Sequence, residues 1–78
     1  MKTYVFRVIV EPDDDRYYAE IPALRDCYSW GYTYEEALKN VKEAAELCIE
    51  TMIEDGQSIP EEDPHVIRKA PLTVGLVV

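Results

Sequence analysis

A single long amphipathic segment, residues 34–55, constrains the fold of this chain more than any other feature. At 100° per residue its apolar side chains form one broad face, which is typical of a helix packed on a core. Thr33 is a preferred N-cap residue, and Glu36, three positions later, can complete a capping box. Gly31 supplies the permissive backbone that a strand-to-helix corner needs. Gly56 is the residue type that most often follows a helix end, so the pattern predicts one capped helix.

Short alternating runs on both sides of this helix predict β-strands. Residues 4–10 indicate one central strand, because both faces are apolar except at Arg7. Residues 16–21 and 27–30 predict a second and a third strand. The apolar run 72–78 predicts a closing strand beside the first. The order β-β-β-α-β therefore predicts an α+β fold, in which a three-stranded antiparallel meander carries one long helix on one face and is followed by a C-terminal strand.

The length of 78 residues predicts a single domain, residues 1–78, with no additional C-terminal DNA-binding domain. No apolar run approaches membrane-spanning length, and the N-terminus lacks the apolar segment of a signal peptide, so we expect a cytoplasmic protein. Cys27 and Cys48 lie 21 positions apart without a C-x-x-C pair, which favours two reduced thiols. Residues 11–15 predict a polar turn. Pro60 and Pro64 predict an irregular stretch after the helix.

The net charge of −8 is unevenly distributed. Residues 35–64 contain ten acids and two bases, whereas the rest of the chain contains six of each. The whole excess of negative charge therefore falls on the helix and on the loop that follows it. Because a nucleic-acid surface must neutralise phosphates, we expect no direct binding of DNA or RNA. A basic protein is the partner that this charge favours.

The β-β-β-α-β order with acidic residues invites comparison with the RNase H fold, whose chemistry needs carboxylates from the first strand, the first helix and the fourth strand to hold two metal ions. Neither residues 4–10 nor residues 72–78 contain an acid, which argues against a nuclease and against a metal site. His65 is the only histidine and has no adjacent nucleophile. The acidic run 13–15 lacks the spacing of a calcium loop. We therefore expect that the protein has no enzymatic activity and that it binds neither a metal ion nor a cofactor.

Aromatic residues are concentrated between positions 17 and 34, and the alternation of strands leaves several of them exposed. Tyr28 and Trp30 are candidates for contacts with a protein partner, because exposed aromatics favour such surfaces. Leu47 lies among polar residues on the helix and is a weaker candidate. The remaining candidate contacts are the acids on the outer helix face: Glu36, Glu43, Glu50 and Glu54.

The segment around the helix start resembles the HicB family, the antitoxin halves of HicA–HicB toxin–antitoxin pairs. The matching positions are Pro22, Leu24, Cys27, Gly31, Thr33, Glu35, Glu36, Ala37 and Leu38. The resemblance extends from about Tyr4 to Pro60 and implies a partial RNase H-like fold. Family members commonly carry Asp-Gly in the first hairpin and Pro-Gly before the cysteine. This chain has Asp14-Asp15 and Arg25-Asp26 there instead, so the shape of both turns is open.

The resemblance implies the antitoxin of a type II pair, which binds a small basic HicA-like mRNA interferase and masks it without catalysis. A domain of this size buries only a modest fraction of its surface, so we also expect a homo-oligomer, either a dimer or a tetramer. Many relatives continue into an operator-binding domain; with a single domain expected here, we do not carry autorepression over from them. The alternative is an orphan HicB-like domain, without a toxin partner, that serves self-association or ligand binding.

Overall fold

A computed structural model describes residues 2–78 as five strands and two helices. The elements are β1 (Thr3–Arg7), β2 (Ile9–Asp13), β3 (Arg16–Glu20), β4 (Tyr28–Gly31), α1 (Tyr34–Glu54), α2 (Pro64–Lys69) and β5 (Thr73–Val77). Strands β2, β3 and β4 form an antiparallel meander, and β5 pairs antiparallel with β1. The α+β architecture with a meander, one long helix and a C-terminal strand beside the first strand is therefore confirmed.

The first strand differs from the prediction because it is divided at Val8. The half before Val8 pairs with β5, and the half after it pairs with β3. Val8 itself is 2% exposed, and its backbone N–H donates to the carbonyl of Leu72 over 3.0 Å. The inward alternation of Phe6 and Val8 continues through the division. The alternation of side chains therefore does not reveal that the strand changes its hydrogen-bonding partner at Val8.

Both turns in which this chain departs from the family pattern contain an aspartate with positive φ. Asp14 has a φ of 56° in the two-residue hairpin turn between β2 and β3, so the turn is shorter than predicted. Asp26 has a φ of 57° in the loop before β4. Aspartate tolerates this region better than most residues, and glycine occupies it freely. Each of the two turns therefore places an aspartate in the backbone region that glycine favours.

Helix α1 begins and ends as predicted. The hydroxyl of Thr33 accepts a hydrogen bond from the Glu36 N–H over 3.0 Å, and the Glu36 carboxylate accepts one from the Tyr32 N–H over 3.2 Å. The reciprocal bond therefore reaches one residue before the N-cap. At the other end, Gly56 has a φ of 70°, and its N–H donates to the carbonyl of Ile53. The Gln57 N–H donates to the carbonyl of Met52, which completes a Schellman motif.

The stretch after α1 contains a second helix where an irregular segment was predicted. Pro64 is the first residue of α2, and the Asp63 carboxylate accepts a hydrogen bond from the His65 N–H over 2.8 Å. A proline at the first helical position costs no hydrogen bond, because its missing N–H would have no partner within the helix. The prediction treated Pro64 only as a helix breaker and was wrong for that reason.

The core lies between α1 and the strands. Helix α1 contributes Ala37, Val41, Ala45 and Ile49, which are all fully buried. The other buried side chains come from the strands and the loops: Phe6, Val8, Ala19, Ile21, Leu24, Cys27 and Leu76. Two alanines on the inner face of α1 allow the helix to lie close to β4. This close approach fixes which α1 residues remain available on the outside.

Candidate functional site

The predicted partner-binding residues fall into two groups on either side of β4. Five of them lie on α1, and all five are exposed: Glu36, Glu43, Leu47, Glu50 and Glu54. The other two, Tyr28 and Trp30, project from β4 on the face of the sheet opposite to α1. The structure therefore does not join all seven residues into one flat patch. Each group has its own geometry and chemistry.

The five α1 residues form a surface that we call the acidic flank. Glu36, Glu43 and Glu50 are seven positions apart, and Leu47 and Glu54 each follow one of them by four. These spacings place the five residues on one stripe of the helix. Asn40 belongs to the same stripe, and its Nδ2 donates to the backbone carbonyl of Trp30 over 2.7 Å. The acidic flank therefore lies on the outer face of α1, and Asn40 marks the place where its edge meets β4.

Leu47 occupies a special position on the acidic flank. Its side chain is 65% exposed, which is the largest exposed fraction of any valine, leucine or isoleucine among residues 2–78. It borders a groove of about 440 Å³ between α1 and the loop that joins β3 to β4. The lining of the groove is mainly apolar and consists of Ala23, Leu24, Arg25, Leu47, Cys48, Thr51, Met52, Gln57 and Pro60. The sequence marked Leu47 as a lone exposed leucine but gave no sign of the groove.

The charges on the acidic flank form no ion pairs within residues 2–78. Among residues 2–78 the ion pairs are Lys2 with Glu61 and Arg16 with Asp13, and neither involves α1. Two acids occupy the first turn of α1, where they stabilise the positive end of the helix dipole. Glu36 thus contributes to the helix cap as well as to the acidic flank. The other acids of the flank have no structural hydrogen bond that would restrain them from a partner.

The second group belongs to an aromatic cluster on the open face of the sheet. The ring centroids of Tyr18, Tyr28 and Trp30 lie 5.4–6.0 Å apart. The Trp30 indole N–H donates to Asp13 over 3.0 Å, and the Arg16 guanidinium lies 4.8 Å from its ring centroid. Trp30 is therefore held in place by neighbours, whereas Tyr28, with an exposed fraction of 47%, is the accessible member.

Tyr18 also belongs to this cluster, although it was not among the residues predicted to contact a partner. It lies directly opposite Trp30 in the pairing of β3 with β4, so strand alternation was the signal that could have found it. Desolvation in the cluster raises the pKa of the Tyr18 phenol, and the nearby Glu20 carboxylate, which accepts its hydrogen bond, raises it further. Tyr18 therefore remains a neutral donor at physiological pH.

The groups that could perform chemistry are dispersed. Within residues 2–78 no three side chains of His, Cys, Asp or Glu come together as they would to hold a metal ion. Burial raises the pKa of the Cys27 thiol to about 12, and the neighbouring Cys48 adds to the shift. Cys27 is therefore a neutral thiol and a poor nucleophile. His65 lies exposed on α2. Neither helix in the described part of the chain is long and apolar enough to cross a membrane.

Comparison with known proteins gives consistent matches over most of the chain. The family model described as "HicB_like antitoxin of bacterial toxin-antitoxin system" matches residues 6–71. A UPF0150 protein of Synechocystis is 44% identical over 61 residues, which cover 77% of this chain and 77% of that protein.

Two solved structures share the fold. The N-terminal domain of the Burkholderia pseudomallei antitoxin HicB is 27% identical, with a TM-score of 0.72 over 95% of this chain and 96% of that chain. A chain from a HicA3 and HicB3 toxin–antitoxin complex is 20% identical, with a TM-score of 0.65 over 91% of this chain and 93% of that chain. At 20% identity the second likeness concerns the fold alone.

Proposed function

The chain belongs to the HicB-like antitoxin family of bacterial toxin–antitoxin systems, and on this basis we propose that it neutralises a small basic, HicA-like, RNA-targeting toxin by binding it directly. A chain with the same fold comes from a HicA3 and HicB3 toxin–antitoxin complex, which supports a toxin as the partner. Neutralisation by binding requires only that the antitoxin cover the RNA-binding surface of the toxin. No catalytic group on the antitoxin is needed for that.

The observation that carries this proposal is the combination of the acidic flank with the apolar groove beside Leu47. A basic toxin surface would be attracted by the uncompensated carboxylates, which raise the association rate and select against acidic proteins. An apolar side chain of the toxin could then occupy the groove, where Leu47 and Met52 offer contact area. Apolar anchors in pockets supply most of the binding energy at such interfaces, while surrounding charges set orientation.

The proposal is tested by coexpressing the chain with a small basic protein encoded beside it and by measuring both growth rescue and affinity. The informative variant is Leu47→Ala, and its matched control is Ile53→Ala. Ile53 is also exposed on α1, with an exposed fraction of 53%, but it does not border the groove. Loss of a large apolar side chain from the wall of a pocket that receives an anchor costs about 2 kcal/mol, so Leu47→Ala is expected to weaken binding about 30-fold. Ile53→Ala is expected to leave binding within about twofold.

A second pair of variants tests the charges. Glu43→Gln with Glu54→Gln removes two charges from the acidic flank, and Glu35→Gln with Glu46→Gln removes two from the neighbouring stripe, about 90° around the same helix at 100° per residue. The first pair is expected to slow association several-fold at low salt and to flatten the dependence of affinity on salt. Equal effects of the two pairs would refute the acidic flank as the docking surface. Failure of any toxin to bind or to be neutralised would refute the antitoxin function itself.

We also propose that the aromatic cluster supports a homo-oligomer, the second function that the family resemblance allows. Tyr28 is an exposed aromatic on a sheet face that α1 leaves open, and such residues are enriched at protein interfaces. Tyr28→Thr keeps the preference for a strand and removes the ring. Sedimentation velocity is expected to show a shift toward monomer for Tyr28→Thr. A monomeric parent protein across the micromolar range would exclude this function.

A further inference from the structure

A basic pocket lies where α2 packs against β1. It has a volume of about 310 Å³ and is lined by Arg7, His65, Val66, Lys69, Ala70 and Pro71. His65 and Lys69 are four positions apart on α2, so they share one side of that helix. Every ionisable residue in the lining is a base. This is unusual for a chain with a net charge of −8.

The side chain of Arg7 is half-buried, and one atom of its guanidinium is an unused donor. Its Nε is buried and has no hydrogen-bond partner among residues 2–78. The Glu62 carboxylate accepts a hydrogen bond from the Arg7 backbone N–H over 3.4 Å, and the ion pairs among residues 2–78 do not include the Arg7 guanidinium. Arg7 also borders an adjacent groove of about 270 Å³, whose lining contains no carboxylate. A buried charged donor without an acceptor is costly, so this position calls for an acceptor from outside the chain.

We propose that Arg7, His65 and Lys69 form a binding site for a phosphate group. A phosphate presents several acceptor oxygens at once, and the guanidinium fork is suited to bind two of them together. Lys69 adds a mobile positive charge, and the ring of His65 adds a third donor from the same side. A monovalent carboxylate would match fewer of these groups. A nucleic-acid strand is disfavoured because the rest of the chain would repel its backbone.

The phosphate group bound at this site is either free inorganic phosphate or the phosphate of a mononucleotide, and a titration distinguishes the two. Uniformly ¹⁵N-labelled protein is titrated with sodium phosphate, with adenosine 5′-monophosphate and with sodium acetate, at constant ionic strength set by chloride. The readout is the side-chain Nε–Hε signal of Arg7, with the amide signals of α2. Phosphate is expected to shift these signals along a saturating curve, and acetate is expected to bind at least tenfold more weakly. Tighter binding of the nucleotide identifies a mononucleotide, and equal binding identifies free phosphate.

Three variants make the result specific. Arg7→Gln and Lys69→Gln are each expected to weaken phosphate binding about tenfold, because each loses a charge-assisted hydrogen bond. Arg68→Gln is the matched control, because it removes the same charge from the same helix but does not line the pocket. Lys69 is exposed, so Lys69→Gln tests the site even if Arg7→Gln unfolds the chain. Equal weakening by Arg68→Gln and Lys69→Gln, or a linear response of all signals to phosphate, would overturn the proposal.

Discussion

Replacement of Gly31 by alanine is expected to destabilise this protein strongly, although the position does not require a left-handed backbone. Gly31 is buried where β4 passes beneath the first turn of α1. A Cβ atom there would lie 2.3 Å from the backbone nitrogen of Ala37 and 2.7 Å from the carbonyl carbon of Glu36. Both contacts are with backbone atoms, so no side-chain rotation can relieve them. The role of Gly31 is therefore close approach, not the conformational freedom inferred from its place at a corner.

The size of the effect follows from these distances. Cβ contacts below 3.0 Å are essentially never seen, so β4 and α1 must separate by about 0.7 Å to accept the methyl group. Ala37 is fully buried beside this contact, and the shift would loosen its packing as well. Overpacking of this kind costs about 1–3 kcal/mol, and backbone clashes belong at the upper end. The reduced flexibility of the unfolded chain returns about 0.5–1 kcal/mol, which leaves a loss of about 2 kcal/mol.

Urea unfolding measures this loss directly, because the only tryptophan, Trp30, is adjacent to the substituted position. Fluorescence and far-ultraviolet circular dichroism should report the same lowered midpoint, and the melting temperature should fall by about 10 °C. Gly75→Ala is the control: its Cβ would meet only Thr3 Cγ2, at 3.9 Å, so it should be neutral or stabilising. A loss below about 0.5 kcal/mol for Gly31→Ala would refute the close approach of β4 and α1.

Three further predictions concern the turns, the helix cap and the buried thiol. Asp14→Gly and Asp26→Gly are each expected to stabilise the fold by about 0.5 kcal/mol in urea unfolding, since both residues have positive φ; a loss of stability would contradict this. Thr33→Ala is expected to cost about 1 kcal/mol because the Glu36 N–H loses its acceptor, whereas Thr33→Ser should retain most of the stability. The pKa of Cys27 is raised from 9.0 to about 12 in the folded protein, so the unfolded thiol ionises first as pH rises. The contribution of Cys27 to the free energy of unfolding should therefore be constant below pH 9 and fall above it. Cys27→Ala should remove this part of the decline at high pH. An unchanged pH profile in Cys27→Ala would contradict the raised pKa of the folded thiol.

Several features of the fold could be predicted because they depend on neighbours in sequence. Thr33 and Gly56 bracket α1 as expected, since capping involves residues within one turn. The closing strand beside the first strand followed from its apolar run. The division of the first strand at Val8 could not be predicted, because alternation continues through it while the hydrogen-bonding partner changes. Pro64 was misread because proline at the start of a helix and proline as a breaker look alike in sequence.

The two candidate surfaces could likewise be predicted only in those features that depend on neighbours in sequence. The excess of acids on α1 is a property of the sequence, and so is the exposure of Leu47 relative to its own helix. The groove beside Leu47 exists only because the loop before β4 folds against α1. The aromatic cluster could be anticipated in part, since alternation puts Tyr28 and Trp30 on one face. Alternation also places Tyr18 on the face of β3 opposite to the buried Ala19, but its position directly across from Trp30 depends on the register between β3 and β4, which the sequence does not specify by itself.

The sequence by itself therefore determined the helix with its caps, the composition of the strands and the concentration of negative charge, because each depends on residues near one another along the chain. Only the tertiary structure decided that Gly31 must remain a glycine, since its close contact is with the first turn of a helix that packs onto its own strand. It also decided that Arg7 meets His65 and Lys69 in one pocket. These residues are about sixty positions apart, and only the packing of α2 on β1 brings them together.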